Sequence, residues 1–457
     1  MRADQVDGAR APRTAGGAWY RPMVARATDE EHRSATALEL FFDLCFVVAV
    51  AQAAAALHHE VAADHIGNGV VGYASLFFAI WWAWMNFTWF ASAYDTDDVA
   101  YRLTTLVQIA GALILAAGVP AAMDGRNFAA ITLGYVVMRL AMVAQWLRAA
   151  ATDPPHRRSS LRFAAGITIV QLGWVLRLTL PEGPGMAGFL VLVAAELAVP
   201  IWAERAAPTT WHPRHIAERY GLFTLIVLGE CVLASTLAIE SALGEHAALA
   251  DLATTAAGGL LTVFGMWWLY FAKESHELLT SLRAGIVWGY GHYLIFAAAA
   301  AVGAGLAVNV DYLTDHAEIG ARAAAAAFTV PVALFLVAVW ALQVRPHHLG
   351  RWHSAIVPAT AVLVLASTLT AEPVLVTGLL VAAMIAATLV VLHRPAAARR
   401  RPSWARTRGR RRRSAGRPRP GPRCRGRTRA GGWRRCRAPG RPPATRPRRR
   451  PRGRTAR

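Results

Sequence analysis

Residues 37–57 read ALELFFDLCFVVAVAQAAAAL, and this stretch decides what kind of protein the chain encodes. Apart from Glu39, Asp43 and Gln52 every residue in it is apolar. At about 1.5 Å per residue, the run makes a helix about 30 Å long, the thickness of the hydrocarbon core of a bilayer. Comparable runs recur at 70–93, 101–122, 127–148, 161–180, 186–204, 219–240, 250–272, 284–308, 321–343, 353–371 and 373–392, separated by short linkers with Pro, Gly or charges. The pattern predicts an all-α, polytopic transmembrane bundle of about twelve helices.

The composition agrees. Of 457 residues, 55% are hydrophobic and 17% charged, and the mean hydropathy is +0.32. Soluble domains carry about a quarter charged residues, so the composition argues against an ordinary cytosolic enzyme. The net charge of +21 points instead to a nucleic-acid binder until it is located along the chain. Residues 399–457 hold 26 Arg and no acid, which leaves the remaining body at −5. That tail uses only Arg, Pro, Ser, Trp, Ala, Thr, Gly and Cys, so it cannot build a core. It reads either as a polybasic segment for anionic lipid head groups or as an out-of-frame reading of GC-rich coding sequence. No specific nucleic-acid partner is expected.

The domain reading is a polar cytoplasmic segment at 1–36, a first six-helix half at 37–205, a second at 206–392, and a disordered tail at 393–457. Basic residues in alternate loops favour one side, with Arg148, Arg157, Arg158 and Arg162 among them, against Arg126, Arg177 and Arg322 on the other. That bias places both termini in the cytoplasm. Cys45, Cys231, Cys424 and Cys436 show neither metal nor disulfide spacing and read as unpaired.

The two halves share landmarks. The first span reads ELFFDLCFVVAVAQ from Glu39 and the seventh ERYGLFTLIVLGEC from Glu218; the second holds Trp81 and Trp82, the eighth Trp267 and Trp268. Both offsets are about 180 residues, which suggests a tandem parallel six-helix repeat. Tryptophans are also common at membrane interfaces, and that alone accounts for the second match.

These stretches resemble the bacterial low-temperature-requirement protein A family, LtrA. The resemblance continues through YDTDDVAYRLTTLVQIAGALILAAGVPA (94–121), LGYVVMRLAMVAQWLRAA (133–150), HIAERYGLFTLIVLGEC (215–231), WWLYF (267–271) and WGYGHYLIFAAAAAVGAGL (288–306). Ala272 stands where an acid commonly follows WWLYF in the family. The resemblance implies a polytopic membrane protein and assigns no biochemical activity.

Charges inside a membrane span are costly and mark either pathways or pairs. Glu39 and Asp43 lie four residues apart on one helix face, as a cation or proton site or as a helix-start acid with an ion pair. Arg139, deep in the fourth span, requires a carboxylate; Asp43 and Glu230 are the first choices and Glu196 the alternative. Glu230 falls near the midplane of the seventh span, on the face of Arg219. His292 reads as a proton carrier or a hydrogen-bonded core histidine. Asp95, Asp98, Arg102, Glu218 and Arg219 form candidate cytoplasmic gates, or else solvated turns and helix caps.

His212, His215 and Glu218 have metal-like spacing, but Pro213 argues against a regular helix and no further ligand accompanies them, so no metal is expected. No nucleotide loop, nucleophile elbow or zinc motif appears, and no cofactor or enzymatic activity is expected. The expected function is movement of a small solute or ion across the bacterial inner membrane. The alternative is a non-transporting membrane factor for low-temperature growth or membrane-state adaptation.

Overall fold

The computed structural model describes residues 19–26, 34–124, 127–244, 249–347 and 351–393. Most of the 1–36 segment, and the basic tail with both of its readings, lie outside the described residues. Among the described residues there are thirteen α-helices and no strand. They are α1 (Ala37–Ala62), α2 (Ile66–Ala93), α3 (Val99–Ala117), α4 (Val119–Asp124), α5 (Ala129–Thr152), α6 (Arg157–Arg177), α7 (Glu182–Glu204), α8 (Pro213–Gly244), α9 (Leu249–Phe271), α10 (Leu282–Leu313), α11 (Ala321–Val339), α12 (Arg351–Ser367) and α13 (Pro373–His393).

Eleven of these segments are long and apolar enough to cross a membrane, and α12 is a shorter apolar helix. The one added element is α4, which splits the predicted third span. Pro120 lacks the N–H needed to continue α3, so the chain breaks at Gly118 and restarts.

The helix starts follow from local chemistry. Thr36 and Glu39 form a capping box on α1, with the Thr36 hydroxyl accepting from Glu39 N and the Glu39 carboxylate accepting from Thr36 N. Asp98 caps α3 and Ser281 caps α10. Pro213 is the first residue of α8 and does not interrupt it, because the first helical position has no N–H bond to lose. The expected irregularity there is therefore absent.

Most helices pack on near neighbours in the chain. α1 lies on α2 and α3, α3 on α5, α5 on α6, and α6 on α7; α8 lies on α9 and α10, α10 on α11, α11 on α12, and α12 on α13, while α13 also packs extensively on α9, a contact without a comparable counterpart between α2 and α7. The matched tryptophans, however, differ in surroundings: Trp81 and Trp82 are buried, whereas Trp267 and Trp268 are 44% and 45% exposed. α10 is the most enclosed helix, buried without interruption from Ile295 to Val310. Its small residues let α11 approach so closely that a Cβ on Gly305 would fall on the Ala327 carbonyl.

Residues 19–26 form an extended strap across the end of the bundle where α1 begins. Arg21 N donates to Asp98 Oδ2 at 2.7 Å, Met23 N to Thr152 Oγ1 at 2.9 Å, Ala25 N to Asp153 Oδ2 at 3.2 Å and Arg26 N to Ala93 O at 3.0 Å. Arg148 links α5 to both parts, donating to Asp98 and to Arg21 O. Burial alone would raise the Asp98 carboxyl, but bonds from Arg148, Tyr101 N and Arg21 N outweigh it and hold the group below its ordinary value.

Two outcomes follow from this packing. Gly305→Ala should cost about 1–3 kcal/mol through overpacking, whereas Gly67→Ala, which meets open space, should be neutral or slightly stabilising. Thermal unfolding of the two detergent-solubilised variants compares them directly. Because the folded Asp98 carboxyl is depressed, its contribution is complete above about pH 4 and fades as the pH falls below that. The protection of Arg21 N, measured as its hydrogen-exchange rate relative to the intrinsic rate at the same pH, should therefore fall on acidification in the wild type and be low and independent of pH in Asp98→Asn.

Candidate functional site

The site is organised by α2. Trp82 and Trp84 are two residues apart, about 200° around the helix, and so face opposite ways. Each indole N–H finds a buried carboxylate. Trp84 Nε1 donates to Asp43 Oδ1 at 2.7 Å, and Trp82 Nε1 donates to Glu196 Oε2 at 2.9 Å.

On the first side, Arg219 of α8 spans both acids of α1. Its Nη2 meets Asp43 Oδ1 at 2.5 Å and its Nε meets Oδ2 at 3.1 Å, a two-point clasp. Nη1 lies 3.2 Å from Glu39 Oε1, and His215 Nε2 lies 3.1 Å from the same oxygen. All four side chains are buried. Glu39 is therefore both a helix-start acid and an ion-pair member. Arg219 belongs to this centre and not to a peripheral gate.

On the second side, Glu196 of α7 accepts five bonds. Oε2 takes Trp82 and Arg139 Nη2, the latter at 2.8 Å; Oε1 takes Tyr135 Oη at 2.8 Å and Gln171 Nε2 and Trp174 Nε1 at 3.3 Å each. Every partner can donate, and both carboxyl oxygens serve as acceptors. The partner of Arg139 is thus Glu196. Neither Asp43 nor Glu230 reaches it, because Asp43 is committed to Arg219 and Glu230 sits on a different flank of the bundle. Pro200 lies inside α7 one turn beyond Glu196 and removes the N–H that would bond the Glu196 carbonyl. The helix ladder is interrupted at the level of the buried pair.

A cavity of about 1480 Å³ leads to this second centre. Its lining runs from the loop residues Ala63, His65 and Asn127 at one face of the bundle, past Glu60, Ser75 and Arg177, to Phe78, Tyr135, Trp174 and Phe189. Tyr135 and Trp174 are thus shared between the cavity wall and Glu196. Further along α2 a small cavity of about 50 Å³, bordered by Asn86, Pro200, Glu204 and Tyr290, has room for a few waters. Trp82, on α2 between Phe78 of the large cavity and Asn86 of the small one, is in edge contact with Tyr290 at 5.4 Å.

The other predicted residues are dispersed. Glu230 is half-buried on α8 and has neither a hydrogen bond nor an ion pair among the described residues. Arg219, although on its face, turns to α1 instead. His292 is buried, with Nδ1 against Trp288 O at 2.7 Å and Nε2 against Tyr270 Oη at 3.1 Å. The carbonyl requires a proton on Nδ1, which leaves Nε2 to accept from the tyrosine. Asp97 pairs with Arg102 at 2.8 Å on an exposed turn, and Asp98 belongs to the strap. Glu218 accepts from Ala35 N at 3.2 Å. The sequence reading missed Trp82, Trp84, Tyr135, Gln171 and Trp174. The available sign was the pairing of indole donors with too many intramembrane acids.

Removing the Glu196 side chain should strand Arg139 in the bundle. Glu196→Ala is expected to lose about 3–5 kcal/mol, and Glu196→Gln, which keeps acceptor capacity, should lose less. Thermal denaturation in detergent measures both.

In comparison with known proteins, the chain is 29% identical over 269 residues to an uncharacterized protein of Rhizobium meliloti (strain 1021), a match covering 54% of this chain and 60% of that protein. Over residues 34–392, from the capping box of α1 to the last helix, it matches the profile of bacterial low temperature requirement A protein; the chain belongs to the LtrA family.

Proposed function

We propose that the protein moves a small solute or ion across the bacterial cell membrane, and that the solute passes between α2, α5, α6 and α7. The observation that carries this reading is the cavity of about 1480 Å³ whose innermost walls, Tyr135 and Trp174, donate to Glu196. Transporters place substrate sites near the membrane midplane where a helix is interrupted, and the Pro200 break at Glu196 provides such a place. The route continues past Trp82 and Tyr290 to the small cavity at Glu204. The strap face is cytoplasmic on the loop-arginine bias, and the large cavity then opens outward. The neighbour orders of α1–α7 and α8–α13 correspond in part, with the α9–α13 contact outside the correspondence, and we read this as partial support for a tandem origin of the two halves. We read the protein as non-enzymatic.

The second reading, a non-transporting membrane factor in low-temperature growth, is favoured by one fact: the donors on Glu196 are complete without any ligand. The two readings separate on a double variant. Arg139→Met/Glu196→Gln removes both charges of the pair while keeping an acceptor oxygen for the Trp82 and Tyr135 donors. This variant should keep most of its abundance, lose all flux if the pair handles the solute, and support cold growth unchanged if it does not. The direct measurement is a proteoliposome screen over inorganic ions, amino acids, organic acids and amines. Absence of flux for every class from folded protein would end the transport reading.

A further inference from the structure

We propose that the cavity of about 1480 Å³ binds a small organic anion, a carboxylate carried on an apolar or aromatic body, and that Arg177 holds the carboxylate. The inference rests on the transport reading for the fate of the acid, and it names the solute class of that same path.

Arg139, Arg148 and Arg219 each meet a carboxylate, of Glu196, Asp98 and Asp43 respectively. Arg177, at the end of α6, has no ion pair among the described residues. Its Nε donates to Gly185 O at 2.9 Å, and its guanidinium lies over the rings of Phe128 and Phe189 at 5.2 and 5.4 Å. The two rings restrict the movement of the group. With Nε committed to a carbonyl, the two terminal nitrogens form the open edge of a planar fork, and their spacing fits the two oxygens of a carboxylate. Arg177 borders the cavity, so that edge is within reach of a solute there.

The surrounding wall supplies the rest of the recognition. Trp174 lies one turn before Arg177 on the same face of α6, and both border the cavity. Phe189 touches Trp174 edge-on at 5.3 Å and Phe78 at 6.5 Å, so the ring that carries the guanidinium is continuous with an aromatic inner wall. An acid held at Arg177 lays its apolar body against these rings, whose faces and edges favour a planar or branched group. The space of about 1480 Å³ exceeds the roughly 300–1,000 Å³ of common small-molecule sites, so the acid fills the aromatic end and water the remainder. Glu60, an acid on the same wall, stands elsewhere. It packs on Gly69 in the first turn of α2, about 13 Å along that helix from Phe78, with His65 Nδ1 3.8 Å from its carboxylate. His59 and His65 add positive charge to the wall or none. The charge of Glu196 behind Tyr135 and Trp174 is offset by Arg139, so a cation gains little at the aromatic end.

The test titrates the whole protein in phosphatidylcholine nanodiscs with phenylacetate, isovalerate and phenethylamine, followed by isothermal calorimetry. Both acids are expected to bind, and the amine to bind about tenfold more weakly or not at all. Arg177→Gln strands no carboxylate, so it should fold, and it should weaken both acids by about tenfold or more, with Arg177→Lys intermediate. In the wild type, phenylacetate should also slow modification of Arg177 by the arginine reagent phenylglyoxal, read by peptide mass spectrometry. That measurement decides the matter if Arg177→Gln does not fold, and absence of protection overturns the proposal. So do acids that fail to bind, an affinity unchanged in folded Arg177→Gln, or an amine that binds as well as the acids. Displacement of phenylacetate by added phosphatidylglycerol would make Arg177 a contact for lipid head groups and overturn it too. The two readings fail separately. Acid binding without flux of any acid leaves this site standing and removes transport, whereas flux of other solutes with no acid binding removes this site alone.

Discussion

A carboxylate placed inside a bilayer must be surrounded by donors, and in this bundle one helix serves both of the deepest ones. α2 runs between α1 and α7 and presents an indole N–H to each side, Trp84 to Asp43 and Trp82 to Glu196. Water is not at hand to solvate an acid left without partners, so the rotation of α2 is tightly restricted. A turn of α2 that improved one bond would withdraw the other. The positions of α1, α5, α7 and α8 follow, because Arg139 and Arg219 must arrive at the same two carboxylates from the remaining directions. Two arginine–carboxylate pairs and two tryptophans thus fix five helices, while the packing of small residues along α10 positions the rest.

Much of this was legible from the sequence, but unevenly. The spans were readable because hydrophobic length is a one-dimensional property, and the helix starts at Thr36 and Asp98 carry local signatures in their own side chains. The polar residues that matter, Asp43, Arg139, Glu196 and Arg219, were also visible, since charge is conspicuous in an apolar run. Their pairing was not. Arg139 and Glu196 lie 57 positions apart and Asp43 and Arg219 lie 176 apart, and helical phase alone cannot choose among acids of similar depth. The tryptophans were overlooked for another reason. In sequence an interfacial indole and a buried indole that solvates an acid are the same letter, and only the orientation of α2 separates them.

The two centres differ in a manner relevant to mechanism. Glu196 is saturated: five donors leave it little to gain from a further partner, yet it borders a large cavity next to an interrupted helix. The Glu39–Asp43 cluster is the reverse: its side chains are buried and held by Arg219 and His215, and neither described cavity borders it. One centre has access and the other is enclosed. They are linked through the same helix, which donates an indole N–H to each.

The strap has a consequence for how the molecule is made. Residues 19–26 leave the ribosome before any of the helices, yet the side chains that hold them, Asp98, Arg148, Thr152 and Asp153, belong to segments that emerge only after two or more helices have been synthesised. Closure of the strap is therefore possible only when α2, α3 and α5 have all been inserted with their correct ends on the same side. A helix inserted upside down would carry Arg148 or Asp98 to the far surface and leave the strap with nothing to grip. The segment thus records, in a handful of hydrogen bonds, that the first third of the chain has been threaded correctly.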